Sequence, residues 1–132
     1  MNKDLGISKG WLWTWRIIMM LVVLFFLFDA VVHIFVLPDV VQSFIPLGLP
    51  ISLSVPMGIV LLVSLVLYCM PRTTILGAIL LTGYLGGAVL ANARVGAPLF
   101  SAVLFPVYMG ILLWGSSYIL EPRLRALIPL RK

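Results

Sequence analysis

Long apolar runs, broken by short joints that carry proline or polar residues, set the pattern of this chain. Four of them approach or exceed the about 20 residues a helix needs to cross the hydrocarbon core of a bilayer. They run from about Trp11 to Leu37, Ile51 to Met70, Thr74 to Asn92 and Pro98 to Leu120. Prolines stand at most of the boundaries, among them Pro38, Pro50, Pro71 and Pro122, as expected of a residue with no N–H to continue a helix. Strands are excluded, because the runs are too long and do not alternate. The pattern predicts an all-α integral membrane four-helix bundle. It forms a single transmembrane domain over residues 1–132, with an interfacial basic tail at 121–132. Short joints make successive helices antiparallel neighbours. The stretch Ile17 to Phe28 resembles a signal-peptide core, but the apolar run continues past Asp29 to Leu37 and no small-residue cleavage pattern follows. The first span is therefore expected to be retained.

Composition agrees. Hydrophobic residues make up 63% of the chain and charged residues 10%, against about 25% charged in a soluble domain. A soluble fold of this size would leave much apolar surface in water. The net charge of +5 would point to nucleic acid in a polar protein, but the positions of the charges decide otherwise. Lys3, Lys9 and Arg16 precede the first span, Arg72 lies between the second and third, and Arg123, Arg125, Arg131 and Lys132 follow the fourth. With four spans these eight share one side, and Arg94 alone falls on the other. Basic residues mark the cytoplasmic side, so both termini are expected in the cytoplasm and no nucleic-acid partner is expected. Cys69 is the only cysteine and His33 the only histidine. An internal disulfide, a CxxC pair, a multi-cysteine metal site and a haem between two histidines are all excluded. No intrinsic cofactor or metal is expected, so any redox group would come from a ligand or a partner.

The polar residues inside the spans are the candidates for chemistry. Asp29 and His33 lie four apart on one helical face. A carboxylate in the hydrocarbon costs several kcal/mol unless paired, neutralised or solvated. Asp29 is about eight residues before Pro38, roughly 12 Å below the outer end of its helix. Asn92 and Arg94 end the third span, and Ser101 and Tyr108 fall in the first turns of the fourth. Asp29, His33, Asn92, Arg94 and Tyr108 therefore come to similar depths on three helices and suggest an outward-facing polar pocket. The structural alternative is an Asp29–Arg94 ion pair that fixes register, with His33 on a carbonyl or Arg94 reaching the headgroups. Gly83, Gly87 and Ala91 form a small-residue face on the third span, expected to pack within the bundle, with a dimer seam as the alternative. Pro106 is expected to kink the fourth span. Trp11, Trp13, Trp15, Trp114 and Tyr118 read as interfacial anchors. The tail of arginines among leucines and prolines reads as a segment lying on the anionic cytoplasmic leaflet, with partner docking as an alternative.

The stretch LTGYLGGAVLANARVGAPLFSAVLFPVYMGILLWGSSY, the tail EPRLRALIPLR and the segments LFDAVVHIF and LGLP near the first span together resemble the DoxX-like family of small bacterial membrane proteins. The resemblance covers roughly residues 20 to 131. It implies a four-helix bundle in the bacterial cytoplasmic (inner) membrane. It also implies association with quinone-linked sulfur oxidation or with membrane complexes of oxidative-stress defence. Members of this branch often carry histidine at the position of Asn92, so this chain lacks a second imidazole there, which weakens a proton relay or a metal site.

Three functions follow as expectations. One is a binding or accessory subunit of a membrane oxidoreductase complex, holding a quinone, lipid or other small amphiphile. In it Arg94, Asn92 and Tyr108 hydrogen-bond ligand oxygens and His33 with Asp29 exchanges protons. A second is a proton-coupled transporter using Asp29. The third is a structural or assembly protein without a ligand. An enzyme acting alone is the least supported class. The bilayer is the expected environment, and an oligomer is left open.

Overall fold

The computed structural model describes residues 6–128. Of the basic residues used to orient the chain, Lys3, Arg131 and Lys132 lie outside them. The described residues form helices joined by short turns, without strands. Helix α1 (Lys9–Ile34) is followed by a short α2 (Pro38–Leu47), a 3-10 turn at Ile51–Leu53, and α3 (Ser54–Cys69). Then come α4 (Thr74–Arg94), a π-helical turn at Leu99–Val103, α5 (Phe105–Leu120) and α6 (Pro122–Leu127). Four of these segments are long and apolar enough to cross a membrane: Lys9–Ile34, Ile51–Cys69, Thr74–Arg94 and Leu99–Leu120.

The long helices close a ring in which α1 packs on α3 and α5, and α4 packs on α3 and α5. Val22, Phe26 and Ala30 of α1, Leu61, Leu65 and Tyr68 of α3, Ala78, Leu81 and Leu85 of α4, and Met109 and Leu113 of α5 fill the centre. The outward faces carry exposed Leu24, Phe28, Leu90 and Ile111, which suits lipid as the solvent. Hydroxyls within the helices turn to carbonyls one turn back: Ser64 to Val60, Thr82 to Ala78, Ser117 to Leu113. That is how a polar group is satisfied where no water is at hand. The buried Tyr68 hydroxyl meets Ser117 at 2.9 Å.

Closest approach of the backbones falls at two glycines. A Cβ on Gly58 would lie 2.8 Å from the Ile34 side chain and 3.0 Å from the Ala30 carbonyl. One on Gly77 would lie 2.8 Å from the Leu67 carbonyl carbon and nearer still to the backbone of Tyr68. Gly83 and Gly87, expected to be the packing face, would meet nothing within 4 Å. The expected packing role is therefore corrected: those two glycines leave space beside α4 and do not admit another helix of the bundle.

The segment expected as a loop after the first span is helix α2. Pro38 sits in its first turn with Asp39 beside it, and Gly48 closes it in the left-handed region at φ 64°, its N–H bonded to Ile45 O. Proline at the start, an acid in the first turn and glycine past the end are the standard termini of a helix. Before it, α1 stops at Ile34, short of Leu37. Val36 turns the chain at φ 50°, and Leu37 takes the extended conformation that a following proline favours. Val40 and Phe44 of α2 are buried with Val32 of α1, against Leu49 and Met57. The short helix thus lies across the end of the bundle. Pro106 sits in the first turn of α5, and the kink expected there takes the form of a break between the π-helical turn and α5.

At the opposite end, α6 folds back on the bundle. Leu124 is buried, Arg123 donates to the Pro71 carbonyl and Arg125 donates to the carbonyls of Tyr118 and Ile119. Cations at the end of α5 complement its carbonyl terminus. These two tail arginines therefore serve the protein's own helix ends. Glu121 caps α6, accepting from the Arg123 backbone and side chain, and Arg123 holds the Glu121 carboxyl below the usual carboxylate range.

Candidate functional site

Asp29 and His33 meet under α2. His33 is buried, its ring 5.6 Å from that of Phe44. Its Nε2 lies 3.6 Å from Asp29 Oδ1. The hydrogen-bond network assigns the other ring nitrogen. Ser54, at the start of α3, donates its single hydroxyl proton to the His33 carbonyl at 2.7 Å. Its oxygen is then left as an acceptor, so the 3.3 Å contact with His33 Nδ1 requires Nδ1 to carry a proton. The helix end, the serine and the imidazole fix one another, and the close approach at Gly58 brings α3 into reach.

Tyr84 of α4 completes the group. Its hydroxyl donates to Asp29 Oδ2 at 2.9 Å and lies 3.4 Å from His33 Nε2. With Nδ1 held by Ser54 and the tyrosine proton given to Asp29, Nε2 faces two oxygens at distances too long for a firm hydrogen bond. It is the loosely held position of the cluster. Among the described residues no lysine or arginine lies within ion-pairing distance of Asp29.

Two cavities flank Tyr84. One, of about 410 Å³, lies between α2 and α4. His33, Ser43, Tyr84 and Asn92 give it polar groups, and Gly83, Gly87 and Ala91 form a low wall. The other, of about 380 Å³, is bordered by Asp29, Tyr84, Asn92 and Ser101, with Phe25 and Phe105. The open space beside Gly83 and Gly87 is thus the first cavity.

The five residues expected to converge separate into two groups. Asp29 and His33 come together, and Asn92 borders both cavities while its amide donates to the Ala88 carbonyl at 2.9 Å. Arg94 turns away from Asp29 and donates to the Leu47 carbonyl, at the end of α2. A cation there suits a helix C-terminus, so the residue ties α4 to α2. Tyr108 is exposed on α5 and borders neither cavity. Depth along the membrane was the common property of these residues, but depth does not fix the direction in which a helix presents them.

Tyr84 and Ser54 are the site residues that sequence reasoning missed. Tyr84 stands among glycines in GYLGGA, where a buried phenol needs a partner and a carboxylate in a neighbouring span needs a donor. That complementarity was the available signal. Ser54 carried no signal beyond being a hydroxyl near a helix start.

A family model described as the DoxX-like family matches residues 17–116 of the chain. Comparison with curated proteins and with solved structures found no match.

Proposed function

Because the chain belongs to the DoxX-like family and carries four membrane-crossing helices, we propose that this multi-pass membrane protein binds a small amphiphile, a quinone or a lipid. In this reading it serves a membrane oxidoreductase as an accessory subunit in the bacterial inner membrane. The observation that carries the reading is the 410 Å³ cavity with the loosely held His33 Nε2 among its lining residues. Its volume falls within the range of about 300–1,000 Å³ usual for small-molecule sites, and so does its make-up of apolar walls with a few polar groups. A ligand carbonyl beside His33 would accept from the second amide proton of Asn92, or from Nε2 once the imidazole has taken up a second proton. The apolar body would lie along Gly83, Gly87 and Ala91 under Phe44 and Leu47. Ser54 holds the imidazole, and Asp29 and Tyr84 exchange its proton. The charge distribution supports termini in the cytoplasm, which a C-terminal fusion reporter checks. The cavity then opens in the outer half of the membrane.

The test is equilibrium binding of short-chain benzoquinone and naphthoquinone analogues to the protein in nanodiscs, with native mass spectrometry of protein released from membrane. Micromolar binding that Gly87→Leu abolishes supports the reading. A protein that retains neither quinone nor lipid and binds no analogue refutes it.

Proton-coupled transport through Asp29 gains from one observation. Arg94 is engaged with Leu47, so among the described residues Asp29 has no guanidinium counter-ion. Efflux of a cationic compound from liposomes, abolished by Asp29→Asn, would favour it over the first reading.

A further inference from the structure

Asp29 and His33 are neighbours on one helix, yet they border different cavities. His33 borders the cavity between α2 and α4, and Asp29 borders the one next to Ser101. Ser43, Tyr84, Ala88 and Asn92 border both, and of these it is Tyr84 whose hydroxyl reaches Asp29 Oδ2 at 2.9 Å and His33 Nε2 at 3.4 Å. We infer that the Asp29 cavity is a water-filled proton inlet, and that Tyr84, part of the wall between the two cavities, is the link through which a proton passes between the inlet and the ligand cavity.

The lining supports water there. A buried water needs two to four polar partners. The Asp29 carboxylate, the Ser43 and Ser101 hydroxyls and the Asn92 amide supply them from α1, α2, the π-helical turn and α4. About 380 Å³ has room for several waters. The grooves between α4 and α5 and between α1 and α5 are lined almost wholly by apolar side chains and offer no such set. Asp29 keeps 27% of its side chain accessible against 9% for His33, so the carboxylate is the member of the pair that faces the inlet.

The transfer moves one proton and no electron. A hydronium ion in the inlet protonates Asp29 and becomes water. Asp29 passes a proton to the Tyr84 oxygen as that hydroxyl gives its own proton to His33 Nε2. Asp29 and Tyr84 return to their starting states, and the proton on Nε2 is at the disposal of a ligand oxygen. The same steps run in reverse when the ligand releases a proton. This assignment rests on the ligand reading only for the final acceptor.

Two measurements test it, and neither needs the ligand. With Cys69 replaced by serine, Ser101→Cys in proteoliposomes is exposed on both faces to a charged methanethiosulfonate reagent. A thiol reacts as its thiolate, which requires water, so modification is expected at least about tenfold faster than at Ile111→Cys on the lipid face. Equal, slow modification at the two positions overturns the inlet. Tyr84→Phe keeps the ring and hence its part of the wall but removes the shared proton. Ser101→Cys should then label as before, while uptake and release of a proton at His33 Nε2, followed by nitrogen-15 NMR in nanodiscs, slows by about tenfold or more, as expected when a proton-transfer group is removed. Unchanged exchange in a folded Tyr84→Phe protein overturns the relay and leaves the ligand proposal standing. Failure of the quinone analogues to bind would leave both of these results intact.

Discussion

Replacing glycines of the bundle one at a time separates packing from cavity. At Gly77 a Cβ would sit 2.8 Å from the Leu67 carbonyl carbon and nearer to the Tyr68 backbone. Ordinary contact is about 3.5 Å, so α3 and α4 must part by more than about half an ångström there. The neighbours are backbone and cannot rotate away, which puts the cost near the upper end of the about 1–3 kcal/mol seen for overpacking. Helix propensity returns about 1 kcal/mol of that for a Gly→Ala change. Gly77→Ala is therefore expected to destabilise the bundle by about 1–2 kcal/mol. Gly87→Ala meets nothing within 4 Å, so it should be neutral or stabilising by up to about 1 kcal/mol while shrinking the cavity and weakening ligand binding. Reversible unfolding in mixed micelles, followed by tryptophan fluorescence, reads both variants on one scale. Loss of stability in Gly87→Ala as large as that in Gly77→Ala would show that the open face is packed in the membrane, against a second copy or a partner, and would remove the proposed ligand cavity.

Ser54→Ala removes the acceptor for His33 Nδ1–H and a donor to the His33 carbonyl. A buried unsatisfied group costs about 1–3 kcal/mol, so unfolding should report a loss of that size and nitrogen-15 NMR a change in ring tautomer. Asp29→Asn still accepts from Tyr84 and should insert and fold close to the parent yield but lose proton exchange, whereas Asp29→Leu leaves the tyrosine hydroxyl only the long contact to His33 Nε2 and should fold less well; equal yields would refute the hydrogen-bond account. The Glu121 carboxyl is held low by Arg123. Its contribution to seating α6 is thus in place above the usual carboxylate range and is lost as pH falls through the lowered value. Hydrogen exchange of residues 122–127 should rise on acidification in the parent, and Glu121→Gln should flatten that dependence.

The membrane bundle was legible because its signal is redundant: four long apolar runs, prolines at their ends and basic residues gathered on one side. Helix α2 was written in the same language, with Pro38, Asp39 and Gly48 in their expected places, but its ten residues are too few to span, and a reading tuned to spans passed over it. The site was legible in part. Asp29 and His33 stood out because ionisable groups are costly in a span and because i,i+4 spacing guarantees a shared face. Arg94 and Tyr108 shared their depth but not their direction, which is set by the rotation of α4 and α5 within the ring. Gly83 and Gly87 show a second limit. Small residues permit close approach without requiring it, and here Gly58 and Gly77 take that role instead.

Val36 gives the corner between α1 and α2 a further meaning. A β-branched residue in the left-handed region carries roughly 1–2 kcal/mol of strain, and it stands between the helix that holds His33 and the helix that covers it. Burial of Val40 and Phe44 opposes that strain. Lifting α2 away would forfeit those contacts and relax the valine in the same movement. The grip of α2 on anything beneath it is therefore a difference between two opposing quantities, smaller than the contacts alone imply. The side chain at position 36 thus enters the balance that seats α2 over the site.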